Sequence, residues 1–367
     1  MNALNIAFSP TCADLFNVKL KFKKHLPVRL PNGLRAGNIF AFLACWLGVS
    51  LLAHATETKR LPVWPPPPAE PRIVFVREIS EPQDIGVRPP ALLRFANWIT
   101  GVSNSRQKMD RPFGLALDDA ENLLVTDTAA GTVSCLDLAR KKWQSWSTVG
   151  DIRLLSPVAA VRCGPTFFVA DSALGEIIAF DEKGKLQFAI TNELERPSGL
   201  ALLGDRLLIA DSQRHQIVVC DLHGKMIFKF GQRGKGPGEF NFPTHVSVDS
   251  QRRIYVTDSL NCRIQIFNAA GNFLRAFGRA GDGLGRFSRP KGVAVDGDGH
   301  IYVVDGMFNN VQIFDDQSRL LLDFGEPGAA VGQFCLPNAI VINSKNEIFV
   351  ADAFNHRLQV FRYLSKP

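Results

Sequence analysis

At 367 residues, with 46% hydrophobic and 21% charged positions, the chain has the composition of folded globular protein, enough for one large domain or two medium ones, which excludes disorder throughout. The formal net charge of +7 invites a nucleic-acid partner, but Lys19, Lys21, Lys23, Lys24, Arg29, Arg35 and the single acid Asp14 place +5 within residues 1–55 and leave +2 on the remainder. A nearly neutral body argues against a broad phosphate-binding surface and leaves room only for a local basic patch, so no nucleic-acid partner is expected.

The first predicted element is an export signal or membrane anchor over residues 1–55. Residues 39–55 read IFAFLACWLGVSLLAHA, an uncharged apolar stretch behind a basic region and ending in Ala53-His54-Ala55. Small residues at that spacing suit a signal peptidase and predict a mature start near Thr56. An uncleaved anchor is the alternative, since a stretch somewhat short of the roughly 20 residues needed to span still sits in a bilayer when its flanks help. Cys45 behind Leu43-Ala44 hints at a lipoprotein site, against which the continuing apolar sequence counts. Either route gives an extracytoplasmic protein, periplasmic, secreted or membrane-anchored, whose membrane contact is confined to residues 39–55 if they are not removed. Residues 56–71, with Pro62, Pro65 to Pro68 and Pro71, are expected to be a stiff Pro-rich linker, because each ring fixes φ and removes a donor.

From residue 72 to 367 one domain is expected, built on an internal repeat. Three copies stand out, beginning FPTHVSVDSQRRIYVTDS at Phe242, RPKGVAVDGDGHIYVVDG at Arg289 and LPNAIVINSKNEIFVADA at Leu336, and weaker copies begin at Arg111, Ser156 and Arg196. Their anchor prolines are Pro112, Pro157, Pro197, Pro243, Pro290 and Pro337, and their shared acids are Asp127, Asp171, Asp211, Asp258, Asp305 and Asp352. The period fits either a solenoid or a propeller. Short apolar runs separated by Gly, Asn and Asp turns, with no helix-period stripe after residue 110, favour four strands per unit, which is a propeller blade.

Over about residues 111 to 364 the pattern P-x-G-v-a-v-D, i-y-V-a-D-s, n-x-R-i-q-v-F resembles the NHL repeat family. The resemblance implies an all-β, six-bladed propeller of four-stranded antiparallel blades. The last copy stops after its third strand at Phe361 to Leu364, which would leave an open edge, so residues 72–78 are expected to supply the outer strand of blade six.

Six equivalent aspartates are spread around a ring and do not converge on one ion. They are expected to accept turn amides after the second strand. Arg263 and Arg357 are expected to bond neighbouring loops or carbonyls. Of His215, His223, His245, His300 and His356, only His245 stands beside an anchor proline, where the channel opens. The residues following the prolines are Phe113, Val158, Ser198, Thr244, Lys291 and Asn338. Phe113, Ser198, His245, Lys291 and Asn338 are the candidate ligand-binding residues at the channel mouth.

Amidating lyases share the repeat and use three channel histidines for zinc. One histidine here departs from that set, and lactonase-like propellers with calcium on Asp, Asn and Glu have no positive signal. No cofactor is predicted; zinc or calcium at His245 is the metal option. No G-x-S-x-G elbow, H-E-x-x-H helix, P-loop or dinucleotide fingerprint occurs. Cys135, Cys163, Cys220, Cys262 and Cys335 have no C-x-x-C spacing and are expected mostly as small buried strand residues, with one cross-link after export left open. The leading expectation is an extracytoplasmic scaffold binding a protein, peptide or glycan, not an enzyme. The alternative is a metal-dependent hydrolase or lyase with its site in the central channel.

Overall fold

The computed structural model describes residues 61–88, 107–192 and 194–364. The proposed signal or anchor, the start near Thr56 and Cys45 lie outside the described residues. Six four-stranded antiparallel units follow one another as blades, with inner strands Pro112–Leu117, Pro157–Cys163, Pro197–Leu203, Pro243–Val248, Pro290–Val295 and Pro337–Ile342. Each second strand ends on its repeat aspartate, for example Ile254–Asp258 in blade four. No helix among the described residues is long and apolar enough to cross a membrane.

The alternation within strands explains the core. A sheet face carries every second side chain, so a blade buries one face against the preceding blade and the other against the next. Six apolar clusters result, each joining two neighbouring blades, and the cluster between blades five and six gathers Tyr302, Val304, Phe324, Phe334 and Phe361. Blades three to six are linked by Gly-rich loops that drop Phe240, Phe287 and Phe334, each 0% exposed, between the sheets. Gly325 at the head of the last loop has φ +89°, and a Cβ there would lie 2.3 Å from the Phe334 ring. Glycine is required on both counts.

Ring closure follows the expected route. Ile73–Ile79 pairs antiparallel with Arg357–Tyr363 and becomes the fourth strand of blade six. Ile73 and Ile79 are 0% exposed and Phe75 7%, so the strand fills the core as well as covering the edge.

The Pro-rich stretch differs from expectation, because from Leu61 onward it belongs to the propeller. Val63–Trp64 adds a short fifth strand outside Ile73–Ile79, and the Trp64 ring packs 5.7 Å from both Phe324 and Phe361. The prolines on either side limit that strand to two residues, while the indole has more apolar area to bury than a linker would leave exposed.

Candidate functional site

The anchor prolines, the repeat aspartates and the blade-connecting loops all lie at one end of the strands, here called the proline face. Each aspartate ties that face together. Asp127 accepts the amides of Asp110 and Arg111 in its own blade's lead-in at 2.7 and 3.0 Å, and those of Ala129 and Ala130 in the turn at 3.1 and 2.9 Å. Asp171 and Asp305 repeat the arrangement, and Asp211 binds the amides of Glu195 and Arg196 at 3.0 Å. In blades four and six, part of the turn amides' place is taken by side chains, and Asp258 and Asp352 receive Arg263 Nε and Arg357 Nε at 2.8 and 2.9 Å. Arg263 Nη2 and Arg357 Nη2 donate to the loop carbonyls Gly236 O and Ala330 O, and Arg357 Nη1 donates to the Glu78 carboxylate. These carboxylates organise loops and leave no group free for an ion.

The residue four places after each aspartate has positive φ: Gly131, Gly175, His215, Cys262, Asn309 and His356. His215 and His356 therefore mark a left-handed turn that Gly, Asn and His tolerate. Their side chains clip one blade to the next. His215 Nδ1 accepts the Phe242 amide at 3.0 Å, Asn309 Oδ1 accepts the Leu336 amide at 2.7 Å, and His356 Nδ1 meets the Asp110 carbonyl across the ring closure.

At the channel mouth the residues following the prolines converge. Phe113, Val158, Ser198, Thr244, His245 and Lys291 line a cavity of about 610 Å³. Asn338 lies in an adjoining cavity of about 230 Å³ that shares Arg111, Phe113, Arg289, Lys291 and Phe354. The structure thus brings all five candidate residues to one basin of small-ligand size. One residue further on, the repeat needs small side chains, because a Cβ on Gly114 would lie 2.3 Å from Val158 O and one on Gly292 2.8 Å from the Ala339 Cα. His245 occupies that position in blade four and reaches across the channel.

His245 lines both the basin and the channel below it, a space of about 310 Å³. Asn338 Nδ2 donates to the Phe113 carbonyl at 3.0 Å and lies 3.4 Å from His245 Nε2, while His245 Nδ1 lies 3.2 Å from Thr244 Oγ1. This pattern assigns the proton to Nδ1 and leaves Nε2 as acceptor. Burial, and then the Lys291 ammonium, push the imidazole pKa down to about 3. Lys291 itself is held below an ordinary lysine by burial and by Arg289 and Arg196. His245 should accordingly show no imidazole titration by NMR between pH 8 and 5. Because its folded pKa lies below the unfolded 6.5, its contribution to stability is full above pH 6.5 and falls as pH drops toward 3. A His245→Ala variant should lose that part of the acid slope in urea unfolding, and an unchanged slope would refute the assignment.

Family models agree with the repeat: residues 334–361 match the NHL repeat, and residues 185–253 and 249–307 match a family described as 6-bladed beta-propeller. The chain is a six-bladed β-propeller that carries an NHL repeat. Solved structures share its architecture at low identity. Virginiamycin B lyase from Staphylococcus aureus is 15% identical, with 70% of this chain and 96% of that one covered and a TM-score of 0.51. Kuenenia stuttgartiensis hydrazine synthase is 12% identical, with 72% and 99% covered and a TM-score of 0.53. The WD40 β-propeller domain of Doa1 is 14% identical, with 68% and 77% covered and a TM-score of 0.50. These likenesses carry the fold and not a chemistry.

In this propeller the surroundings of His245 do not fit a zinc set. The groups that reach it are an amide and a hydroxyl, and among the described residues no trio of His, Cys, Asp or Glu includes it. The trio close enough to hold an ion is Asp296, Asp298 and His300, in the turn between the first two strands of blade five, away from the mouth. There Asp296 accepts His300 Nδ1 at 2.9 Å and Tyr302 OH at 3.0 Å. Asp249, Arg253 and Tyr255 make the same turn in blade four with a guanidinium in the imidazole's place, which marks a structural motif.

Among the cysteines of the described residues, Cys135, Cys163 and Cys262 are free thiols, and Cys220 is the buried one. The expectation of buried strand positions fails for Cys262, which sits in the left-handed turn at φ 53°, and for Cys335, which lies in a loop.

Sequence reasoning missed Arg111, Arg196 and Arg289, which line the basin immediately before the prolines of blades one, three and five. The signal was present in the repeat register, two places ahead of Phe113, Ser198 and Lys291.

Proposed function

We propose that this NHL propeller is an extracytoplasmic binding module that holds a protein, peptide or glycan on its proline face, over the channel mouth. The observation that carries the reading is the concentration of binding features on that face. The two adjoining cavities lie there, and exposed Leu260, Met307, Leu336 and Phe354 stand around them, apolar side chains that the core has no use for. The leader-like apolar segment at residues 39–55 supports the extracytoplasmic placement.

Site-specific photo-cross-linking in the native cells tests the face. A benzophenone side chain at Met307 should give a discrete adduct that a Phe354→Glu change removes, while one at exposed Leu274 on an outer strand should give none. Adducts from Leu274 alone would reject the reading. Protease added to spheroplasts, with any outer envelope opened and the cytoplasmic membrane intact, should cleave the propeller or find it already released, while a propeller retained and cleaved only after lysis would reject the location.

A further inference from the structure

We propose that the basin on the proline face is a docking site for an acidic peptide segment that interleaves carboxylates with aliphatic side chains. The proposal deepens the function proposed above and rests on it.

Four cations carry the argument. Arg111, Arg196, Arg289 and Lys291 line the basin, whose lining includes no carboxylate. Several other basic side chains on the blades are paired with acids: Arg162 with Asp118, Arg253 with Asp249, Arg263 with Asp258 and Arg357 with Asp352. Among the described residues no ion pair with an acid engages the four at the mouth, and Arg111 lies against the Phe354 ring, 5.0 Å from its centroid. Lys291 is held near Arg196 and Arg289, like charges that raise one another's cost until an anion enters.

The cations are also built into the fold. The backbone amides of Arg111, Arg196 and Arg289 are each fixed by the aspartate of their own blade at 3.0, 3.0 and 3.1 Å. A guanidinium on a tethered backbone loses less freedom on binding an anion than one on a mobile loop.

The distribution selects the ligand class. Arginines on blades one, three and five are spread around the mouth, so they suit several separated negative charges and not one small oxyanion. Between them stand Leu260, Met307 and Phe354, exposed at the same repeat position of blades four, five and six, with Leu336 nearby. An acidic glycan has no aliphatic side chains to bury there. Single-stranded nucleic acid calls for stacking platforms, and Phe354 is the one exposed aromatic of the lining. An acidic peptide with Leu-like side chains meets both the charges and the apolar positions.

Fluorescence anisotropy with the full chain tests the assignment, using short fluorescein-labelled peptides of alternating Glu and Leu, Gln and Leu, or Lys and Leu, together with labelled oligogalacturonate and oligothymidylate. The Glu/Leu peptide should bind, with affinity falling as salt rises, and the Lys/Leu peptide should not. A combined Arg111→Ser, Arg196→Ser, Arg289→Ser and Lys291→Ser variant should weaken Glu/Leu binding about tenfold or more, while Lys345→Ser leaves it unchanged. An unaltered melting midpoint establishes that each variant is folded.

Equal affinity for Gln/Leu and Glu/Leu overturns the acidic preference. If that binding still disappears in a Leu260→Ser, Met307→Ser, Phe354→Ser variant, the proline face remains the binding face and only the ligand class falls. Tighter binding of oligogalacturonate or oligothymidylate overturns the peptide assignment, as does an unchanged affinity in the four-cation variant or no binding by any probe.

Discussion

Asp352→Ala is expected to destabilise the propeller by about 3–5 kcal/mol, measured by urea unfolding, because it removes the buried partner of the Arg357 guanidinium and the shared acceptor of three further donors. Asp352 is 0% exposed and Arg357 7%. The carboxylate accepts Arg357 Nε at 2.9 Å, Gln359 Nε2 at 2.9 Å, the Asn355 amide nitrogen at 2.9 Å and the Cys335 backbone amide at 2.8 Å. Arg357 also reaches Glu78 on the closing strand at 2.8 Å, so one network holds the last turn of the repeat and the first strand of the domain. Most of the loss is attributed to the buried cation, which keeps only the more exposed Glu78 as a counter-charge, and this gives a sharper test. Combining Asp352→Ala with Arg357→Met should cost less than Asp352→Ala alone, since the added change removes the buried charge that has lost its Asp352 partner while keeping an apolar stem. A double variant that is merely additive would place the energy in the amide bonds instead.

The second large effect concerns closure. A chain beginning at residue 107 lacks Ile73–Ile79, which pairs along Arg357–Tyr363 and buries Ile73, Phe75 and Ile79. Losing Phe75 alone should cost about 3–5 kcal/mol, the usual price of a large side chain removed from a core. Losing the whole strand also bares the edge of blade six to pairing with other chains. The shortened chain is therefore expected to elute as aggregate on size exclusion and to lose its near-ultraviolet circular dichroism. A synthetic peptide covering residues 61–88 added during refolding should restore a monomer. A soluble shortened chain with the melting midpoint of the full one would show that closure contributes little.

Much of this architecture could be read directly. Proline, aspartate and strand-length apolar runs recur in register, and such a pattern depends on local chemistry: the proline starts the inner strand, the aspartate gathers nearby amides, and β-branched residues fill a two-sided sheet. The closing strand was legible too, because a blade short of one strand demands it. Trp64 was not. Its prolines signalled a linker, while its packing against Phe324 and Phe361 depends on where blades five and six end in space.

The mouth divides in the same way. The sequence by itself determined the blade number, the strand order and the ring of residues following the anchor prolines. Only the tertiary structure decided that Asn338 would meet the Phe113 carbonyl, 225 residues away, and stand beside His245, or that Lys291 would sit among arginines from blades three and five. A repeat specifies what each blade contributes to the axis. Which contributions touch, and which charges remain without a counter-ion, is settled when the ring closes and brings distant blades within hydrogen-bond range.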